Sequence, residues 1–253
     1  MIPEYPTSCR IPGLRELWQL SFGDDDAFLD DFFATGYSPD RCRCLVLEGR
    51  VAAALYWFDC QYEGRDYAYL YAVATHPDFR HRGLIRYLIA DTHQLLSQAG
   101  YAGAMLVPAD EGLRQMYTAM GYGNCTSVSQ FTSSSLPETV LMHPVTKEEY
   151  QRLRRERLPQ GAVLQEGASL DFLATQAKFY AGPEFLLCCA AGENGSLSGL
   201  EFLGNPAVAP GLLCTLGYAQ GSFQTPGDKL PYAMLCPLTK DCPRPAYFGL
   251  ALG

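Results

Sequence analysis

The stretch "YAVATHPDFRHRGLIRYLIADTH", residues 71–93, joins an apolar strand-like run to a helix-like run through three arginines around one glycine. A strand that passes into a helix through such a turn leaves the first N–H groups of the helix unpaired, and these groups attract anions together with the helix dipole. Gly83 lets a ligand approach the backbone closely. Guanidinium groups, here Arg80, Arg82 and Arg86, bind phosphate oxygens. The stretch therefore predicts a strand–loop–helix unit that binds a diphosphate.

Two other phosphate-binding patterns are absent from the sequence. The chain contains no GxxxxGK[ST], so hydrolysis of a nucleoside triphosphate is not expected, and no GxGxxG of the dinucleotide type. The alternative for the 71–93 stretch is a solvated arginine-rich turn that only begins a helix.

Composition narrows the class of protein. The chain has 253 residues, 48% of them hydrophobic, and a net charge of −8. An acidic balance disfavours nucleic acid as a partner and favours a cationic one, such as an amine or a polyamine. The first residues carry no secretory signal, and the longest apolar runs are too short to span a membrane, so we expect a cytoplasmic protein with no membrane partner. Ten cysteines without a CxxC pair, and four scattered histidines, predict no metal.

The order of predicted elements gives the fold class. Two helices come first, and residues 41–75 then read as three antiparallel strands in a meander. A helix with an apolar stripe follows to Gly100, and after it a short buried strand, a second short helix that Gly121 ends, and one more strand. This order predicts an α/β fold with a mixed central sheet flanked by helices.

A polar segment, "SSSLPET" at residues 133–139, is the best candidate for a linker. After it the chain repeats helices and then a meander, with a hairpin at Asn194–Gly195. Residues 209–220, "APGLLCTLGYAQ", and 231–238, "PYAMLCPL", are predicted to add strands. We therefore divide the chain into a domain at 1–135 and a second α/β domain at 136–253, whose strand–loop–helix has no basic loop.

The loop resembles the acyl-CoA signature of the GCN5-related N-acetyltransferase (GNAT) superfamily, R/Q-x-x-G-x-G/A after an apolar strand and a proline. Arg80, Arg82, Gly83 and the upstream Pro77 match, whereas Ile85 replaces the small residue. Within the superfamily, "RHRGLIR" is similar to the loop of the mycobacterial enhanced-intracellular-survival acetyltransferases. That group follows its catalytic domain with a degenerate second GNAT-like domain and then a sterol-carrier-like domain, for which these 253 residues leave no room.

The resemblance implies that the strand and the loop bind different parts of acetyl-CoA. Backbone groups of Val73, Ala74 and Thr75 would pair with the pantetheine arm of acetyl-CoA, as an added strand does. The resemblance places the side chains of Arg80 and Arg86 near the diphosphate. The diphosphate itself would contact the loop backbone at His81, Arg82, Gly83, Leu84 and Ile85. The side chain of His81 is either part of this site or a bystander.

A second motif of the family, Y-x-x-x-G-[FY], is matched by "YTAMGY" at residues 117–122. The resemblance makes Tyr117 the acid that protonates the leaving thiolate. Because Tyr117 also lies on the apolar stripe of its helix, a plain core tyrosine is the alternative. The oxyanion donor would be the backbone N–H of Val73 or Ala74.

The general base and the acceptor pocket stay open. Asp66, Asp59, Glu63, the C-terminal carboxylate of Gly253 and a water relay are the alternatives for the base. Tyr69 and Tyr71 alternate with Tyr67 on one strand face and either line the acceptor pocket or are ordinary sheet aromatics. The leading hypothesis is an acetyl-CoA-dependent N-acetyltransferase that acts on the primary amine of a small cationic acceptor by direct attack in a ternary complex. The other hypotheses are a non-catalytic acyl-CoA-binding or regulatory module and a peptide or protein N-acetyltransferase; a homo-oligomer is allowed.

Overall fold

The computed structural model describes residues 2–252, which form two compact units, each with its own mixed sheet and helices. The first unit takes the residues up to Gly123, together with Gly167–Phe172 and Met234–Pro243. The second unit takes Asn124–Glu166, Leu173–Ala233 and the residues from Arg244 onward.

The regular elements are numbered in chain order. The α-helices are α1 (Ile11–Phe22), α2 (Asp26–Asp31), α3 (Leu84–Gln98), α4 (Glu111–Thr118), α5 (Lys147–Arg157), α6 (Ala168–Gln176) and α7 (Ala209–Leu216). The first strands are β1 (Cys42–Leu47), β2 (Arg50–Tyr62), β3 (Arg65–Thr75), β4 (Gly103–Leu106), β5 (Gly123–Asn124), β6 (Ser127–Ser134) and β7 (His143–Pro144). The remaining strands are β8 (Leu164–Gln165), β9 (Lys178–Ala181), β10 (Phe185–Ala191), β11 (Leu197–Gly204), β12 (Gln220–Pro226), β13 (Leu230–Pro231) and β14 (Met234–Pro237).

The sheet of the first unit runs in the order β1-β2-β3-β4-β14. Strands β1, β2 and β3 form the antiparallel meander that the sequence predicts. Helix α3 then carries the chain to β4, which pairs parallel to β3, and β14 pairs antiparallel to β4. The predicted mixed α/β sheet is confirmed.

Helix α3 packs on this sheet through its predicted apolar stripe. Leu84, Leu88, Ile89 and Leu96 are buried in one core cluster, and Ile85 is partly buried against it. Full burial of one such side chain contributes about 1.5–3 kcal/mol. This stripe therefore fixes the start of α3 relative to the strands.

Aromatic rings join α1 to the meander. The ring of Trp18 lies 5.4 Å from that of Tyr56 on β2 and 5.6 Å from that of Tyr71 on β3, between ring centroids. The Trp18 indole N–H donates to the Asp24 carboxylate at 2.7 Å. These contacts pack α1 against the sheet.

The second unit repeats the topology of the first. Its sheet runs β13-β6-β12-β11-β10-β9-β7. Strands β9, β10 and β11 form an antiparallel meander, β12 follows α7 and pairs parallel to β11, and β6 pairs antiparallel to β12. Meander, helix, parallel strand and antiparallel strand thus recur in the same spatial order.

The strand predicted over residues 209–220 is wrong over its first eight residues. Ala209–Leu216 is the helix α7, with Pro210 in its first turn and Gly217 in the left-handed conformation after its last turn. A short, continuously apolar run fits a buried helix as well as a buried strand, and proline and glycine at these ends favour the helix. The segment 231–238 does contain a strand, β14.

The compact units differ from the division at residue 135. Strand β6 lies before residue 135 yet belongs to the second unit, whereas β14 returns from the C-terminal half to the first sheet. These assignments of β6 and β14 arise from pairing between segments that are distant in the sequence. No local sequence pattern therefore predicts them. In the part of the chain that the structure describes, no helix is long and apolar enough to span a membrane.

Candidate functional site

One edge of β3 opens toward its C-terminal end. The parallel pairing with β4 covers only Tyr67–Tyr69, which lie opposite Gly103–Met105. Among residues 2–252, no strand pairs with that edge from Leu70 to Thr75, where Val73, Ala74 and Thr75 lie. Unpaired N–H and C=O groups on such an edge can pair with an extended ligand.

A β-bulge lies at the centre of this open edge. Ala54 pairs with Ala74 and Tyr56 with Tyr71, so both Ala72 and Val73 face the single residue between Ala54 and Tyr56. Ala72 has φ 47°, a left-handed value that is uncommon for a residue with a side chain. A bulge leaves a residue unpaired and re-aims the backbone. Sequence analysis missed Ala72, because alanine carries no signal for a positive φ.

The loop between β3 and α3 has the geometry expected of an anion site. Pro77–Phe79 form a 3-10 turn, and His81 and Gly83 then take φ values of 62° and 71°. Helix α3 begins at Leu84 with no side-chain cap, so no capping side chain satisfies its first N–H groups. A Cβ built on Gly83 has no atom within 4 Å, which leaves room for a ligand beside the backbone.

All three arginines of the loop are exposed, and within residues 2–252 none forms an ion pair. Arg80 donates to the Thr75 carbonyl and Arg86 to the Ala119 carbonyl, each at 3.3 Å. Arg86 therefore joins the first turn of α3 to the C-terminal end of α4. The positive charge of the loop remains available for an anion.

Tyr117 lies in the buried core of the first unit. Tyr117 is 6% exposed and shares one cluster with Leu84, and Val73 and Ile85 pack against that cluster. Burial raises the pKa of Tyr117 to about 12, so its hydroxyl stays protonated at neutral pH. A protonated hydroxyl can donate a proton to a developing anion.

Two further residues surround Tyr117. Its ring meets the ring of Tyr122 edge-on at 5.7 Å, and the Tyr122 hydroxyl lies 2.6 Å from His93 Nε2. Burial lowers the pKa of His93 to about 4, which keeps the imidazole neutral. The second tyrosine of the motif is thus fixed by a neutral histidine.

Tyr69 and Tyr71 are buried on β3, and their rings lie 6.2 Å apart. Tyr71 also contacts Trp18 and Phe58, and burial, with the Asp24 carboxylate as a smaller cause, raises its pKa. These contacts place both tyrosines in an aromatic cluster of the first unit. Their assignment to an acceptor pocket stays a prediction.

The structure does not bring the candidate carboxylate bases to the loop. Asp59 is held by Arg41 and by the Tyr101 hydroxyl, and Asp66 accepts from Gln61. Asp66 precedes Val73 by seven residues of an extended strand, roughly 23 Å, and Glu63 lies farther away in the turn. Gly253 lies outside the described residues.

Comparison with known families agrees with this geometry. Residues 5–125 match the family model described as an acetyltransferase (GNAT) domain. No curated protein sequence matches the chain.

Solved structures share the fold over nearly the whole chain. A GCN5-related N-acetyltransferase from Anabaena variabilis superposes with a TM-score of 0.73 at 18% identity, covering 94% of this chain and 73% of that one. A GCN5-related N-acetyltransferase from Kribbella flavida gives a TM-score of 0.70 at 16% identity, covering 92% and 70%. Eis1 from Mycobacterium abscessus gives 0.66 at 12% identity, covering 94% and 74%.

The superposed structures show the fold, and the matched family model adds the sequence features of an acyl-CoA-dependent acetyltransferase. Residues 5–125 thus match the GNAT acetyltransferase domain, and the chain shares the fold of the GNAT structures that it resembles.

Proposed function

We propose that the first unit binds acetyl-CoA and transfers its acetyl group to the primary amine of a small cationic acceptor. The diphosphate of the donor would lie on the backbone N–H groups of the loop from His81 to Ile85. Arg80, Arg82 and Arg86 would balance its charge. The pantetheine arm would pair with the open edge of β3 at Val73, Ala74 and Thr75.

The fit of this donor rests on three features of the loop. The space beside Gly83 is open, the first turn of α3 has no side-chain cap, and three exposed guanidinium groups lie within seven residues. Each feature favours a bound diphosphate. The edge of β3 without a strand partner, described above, supplies the hydrogen bonds of an extended arm.

The residues of the chain supply two of the chemical roles. The backbone N–H of Val73 or Ala74, at the bulge, would donate to the thioester oxygen as negative charge develops there. Tyr117 would protonate the leaving thiolate, and its raised pKa keeps the proton on the hydroxyl at neutral pH. Direct attack by the amine in a ternary complex then needs no covalent acyl-enzyme.

A cationic acceptor is favoured by charge alone. The net charge of −8 attracts amines and repels nucleic acid. The amine must lose a proton before it attacks, and because the structure holds Asp59, Glu63 and Asp66 away from the loop, a water relay is the base that we favour. The tyrosines Tyr69 and Tyr71 are the proposed aromatic wall of the acceptor site.

The observation that supports the proposal is that side chains of the donor loop, of the bulged strand edge and of Tyr117 pack into the same core cluster. The test measures thiol release from acetyl-CoA over a panel of amines, for the wild type and for Tyr117→Phe. We expect at least one cationic amine to raise turnover and Tyr117→Phe to lower kcat about 10²-fold or more. Equal turnover by the two proteins would remove Tyr117 from the mechanism.

A non-catalytic acyl-CoA-binding module is the second candidate, favoured by the burial of Tyr117 and by Ile85 in place of a small residue. It predicts CoA binding with no amine-dependent turnover. A panel that includes short peptides tests the peptide or protein N-acetyltransferase alternative in the same assay. A wild type that fails to bind CoA in calorimetry would exclude every form of the proposal.

A further inference from the structure

A group of three residues braces the entry to the donor loop. Arg50, the first residue of β2, contacts Asp78 Oδ2 through Nη1 at 2.9 Å and His76 Nε2 through Nη2 at 2.6 Å. His76 is buried, 4% exposed, although it lies at the start of an exposed turn. The family motifs of the loop include none of these three residues.

The two ring nitrogens of His76 face different partners. Its Nε2 faces the Arg50 guanidinium, and its Nδ1 faces the Asp78 N–H at 3.2 Å and Asp78 Oδ2 at 3.9 Å. The Asp78 N–H donates to Nδ1, which caps the Pro77–Phe79 turn, and the Arg50 guanidinium packs against the Nε2 side of the ring.

The brace is connected to the residues that the donor would contact. The backbone N–H of His76 donates to the Ala52 carbonyl at 2.9 Å, and that of Phe79 donates to the His76 carbonyl at 2.9 Å. The guanidinium carbons of Arg50 and Arg82 lie 5.6 and 5.2 Å from the Phe79 ring centroid.

Arg82 is also held from the backbone side. Its Nη2 donates to the Asp78 carbonyl at 3.3 Å. The path from Arg50 to Arg82 therefore runs through His76, Asp78 and Phe79, each in direct contact with the next.

We propose that Arg50 and His76 are positioning residues for the acyl donor: they preset the Pro77–Gly83 turn, so that Arg82 and the loop amides meet the diphosphate without rearrangement. The inference rests on the proposed function, because it assigns these residues to the donor half of the same site. A preset loop loses less entropy when the ligand binds. Loss of the brace should weaken donor binding and leave the transfer step nearly unchanged.

The test compares Arg50→Met and Arg50→Lys with the control Arg41→Met. Arg41 forms a similar half-exposed ion pair with Asp59 on the same β2 strand, nine residues farther along. CoA affinity is measured by calorimetry and stability by thermal unfolding. The KM for acetyl-CoA and kcat are measured with an amine from the panel.

We expect Arg50→Met to weaken CoA binding and raise the KM for acetyl-CoA on the order of tenfold, with kcat within about twofold. Arg50→Lys should lose nearly as much, because a single ammonium on a flexible stem cannot hold both His76 and Asp78 in place. Arg41→Met should bind CoA as the wild type does. If Arg50→Met does not fold, the comparison of Arg50→Lys with Arg41→Met decides.

Two outcomes overturn the inference. Full CoA affinity in Arg50→Lys combined with a loss in Arg50→Met would mean that charge alone acts. Unchanged affinity in both Arg50 variants would mean that the brace does not act on the loop. In either case the wild type still binds CoA, so these failures are distinct from a wild type that binds no CoA, which excludes the proposed function itself.

Discussion

The two units share one topology but differ at the start of the crossover helix. In the first unit α3 begins after Gly83, with exposed loop residues and open space around the glycine. In the second unit α7 has Pro210 in its first turn, and the Leu136 N–H donates to the Pro210 carbonyl at 3.3 Å. A Cβ on Gly211 would lie 2.7 Å from Val140 Cγ2. The second helix start is covered by the chain's own residues.

The strand edges differ in the same way. The parallel pairing of β11 with β12 ends at Gly199, as that of β3 with β4 ends at Tyr69. Beyond that point Gln224 Nε2 donates to the Leu200 carbonyl at 3.4 Å and to the Gly249 carbonyl at 2.9 Å. A late segment of the chain thus lies against the position that corresponds to the open edge of β3. Both units share the topology, so topology alone does not create a ligand site. A site also requires that the helix start and the strand edge are not covered by the chain's own residues.

The largest expected effect is on the second unit. Glu201 is fully buried and accepts hydrogen bonds from Arg154, Tyr150 and Tyr247. Glu201→Gln would leave the Arg154 guanidinium buried without its counter-ion and should lower the free energy of unfolding by about 3–5 kcal/mol. Chemical denaturation measures this.

The control for this variant is the exposed pair Arg152–Glu156. Glu156→Gln should change stability by less than about 1 kcal/mol. Equal losses of unfolding free energy in the Glu201 and Glu156 variants would contradict a special contribution of the buried Arg154–Glu201 pair.

The next effect concerns Gly83, for which Gly217 is a matched control. Both glycines are left-handed, with φ 71° and 79°, and neither has an atom within 4 Å of a built Cβ. Valine at either position should destabilise the fold by a similar amount, roughly 1–2 kcal/mol. Only Gly83→Val should also weaken CoA binding, on the order of 10²-fold, because its side chain occupies the space of the diphosphate.

Calorimetry with CoA at a temperature where both glycine variants are folded checks this. Comparable affinity in the two variants would mean that the loop is not the donor site.

Acid should destabilise the first unit through His93. Its pKa is lowered to about 4 by burial, below the ordinary value of 6.5. Between these values the unfolded chain binds a proton that the folded chain does not, so stability present above pH 6.5 is lost as the pH falls toward 4. Because His93 is only partly buried, we expect a loss of roughly 2 kcal/mol or less.

Thermal unfolding of His93→Gln as a function of pH isolates this contribution. The variant should show a flatter acid limb than the wild type. The second unit's His143 is exposed, and His143→Gln should retain the full acid dependence. Identical acid limbs in the wild type and His93→Gln would refute the assignment.

The smallest effect compares two of the left-handed non-glycine residues, His81 in the donor loop and Asn194 in the β10–β11 hairpin, with φ 62° and 54°. Asparagine tolerates this conformation better than histidine. His81→Gly should therefore raise stability by up to about 1 kcal/mol, and Asn194→Gly by less.

CoA affinity of His81→Gly also decides whether the imidazole takes part in the site. Affinity within about twofold of the wild type indicates that only the backbone at residue 81 contributes. A larger loss indicates that the imidazole itself contacts the donor.

The sequence predicted those parts of the fold that local chemistry determines. The loop is recognisable in the sequence from Arg80, Arg82 and Gly83. Few residue types suit a left-handed position directly before an exposed helix start. The meander and the stripe of α3 follow from periodicity, and both were confirmed.

The missed parts depend on contacts between distant residues. The run at 209–216 is predicted as a strand because it is short and almost entirely apolar, a pattern that strands and helices share. The positive φ of Ala72 depends on the register with β2, and the brace of Arg50 and His76 joins residues that are 26 positions apart. No window of sequence contains such information.

The exchange of β6 and β14 has a consequence for synthesis of the protein. A nascent chain that has left the ribosome only as far as residue 135 contains the whole donor loop but lacks the last strand of that sheet, which is about a hundred residues away from being made. Until Met234–Pro237 emerges, the backbone N–H and C=O groups on that edge of β4 have no strand partner. They can meanwhile bind chaperones or neighbouring chains on a polysome. Completion of the sheet beside the donor loop is thereby postponed until Met234–Pro237 has been made.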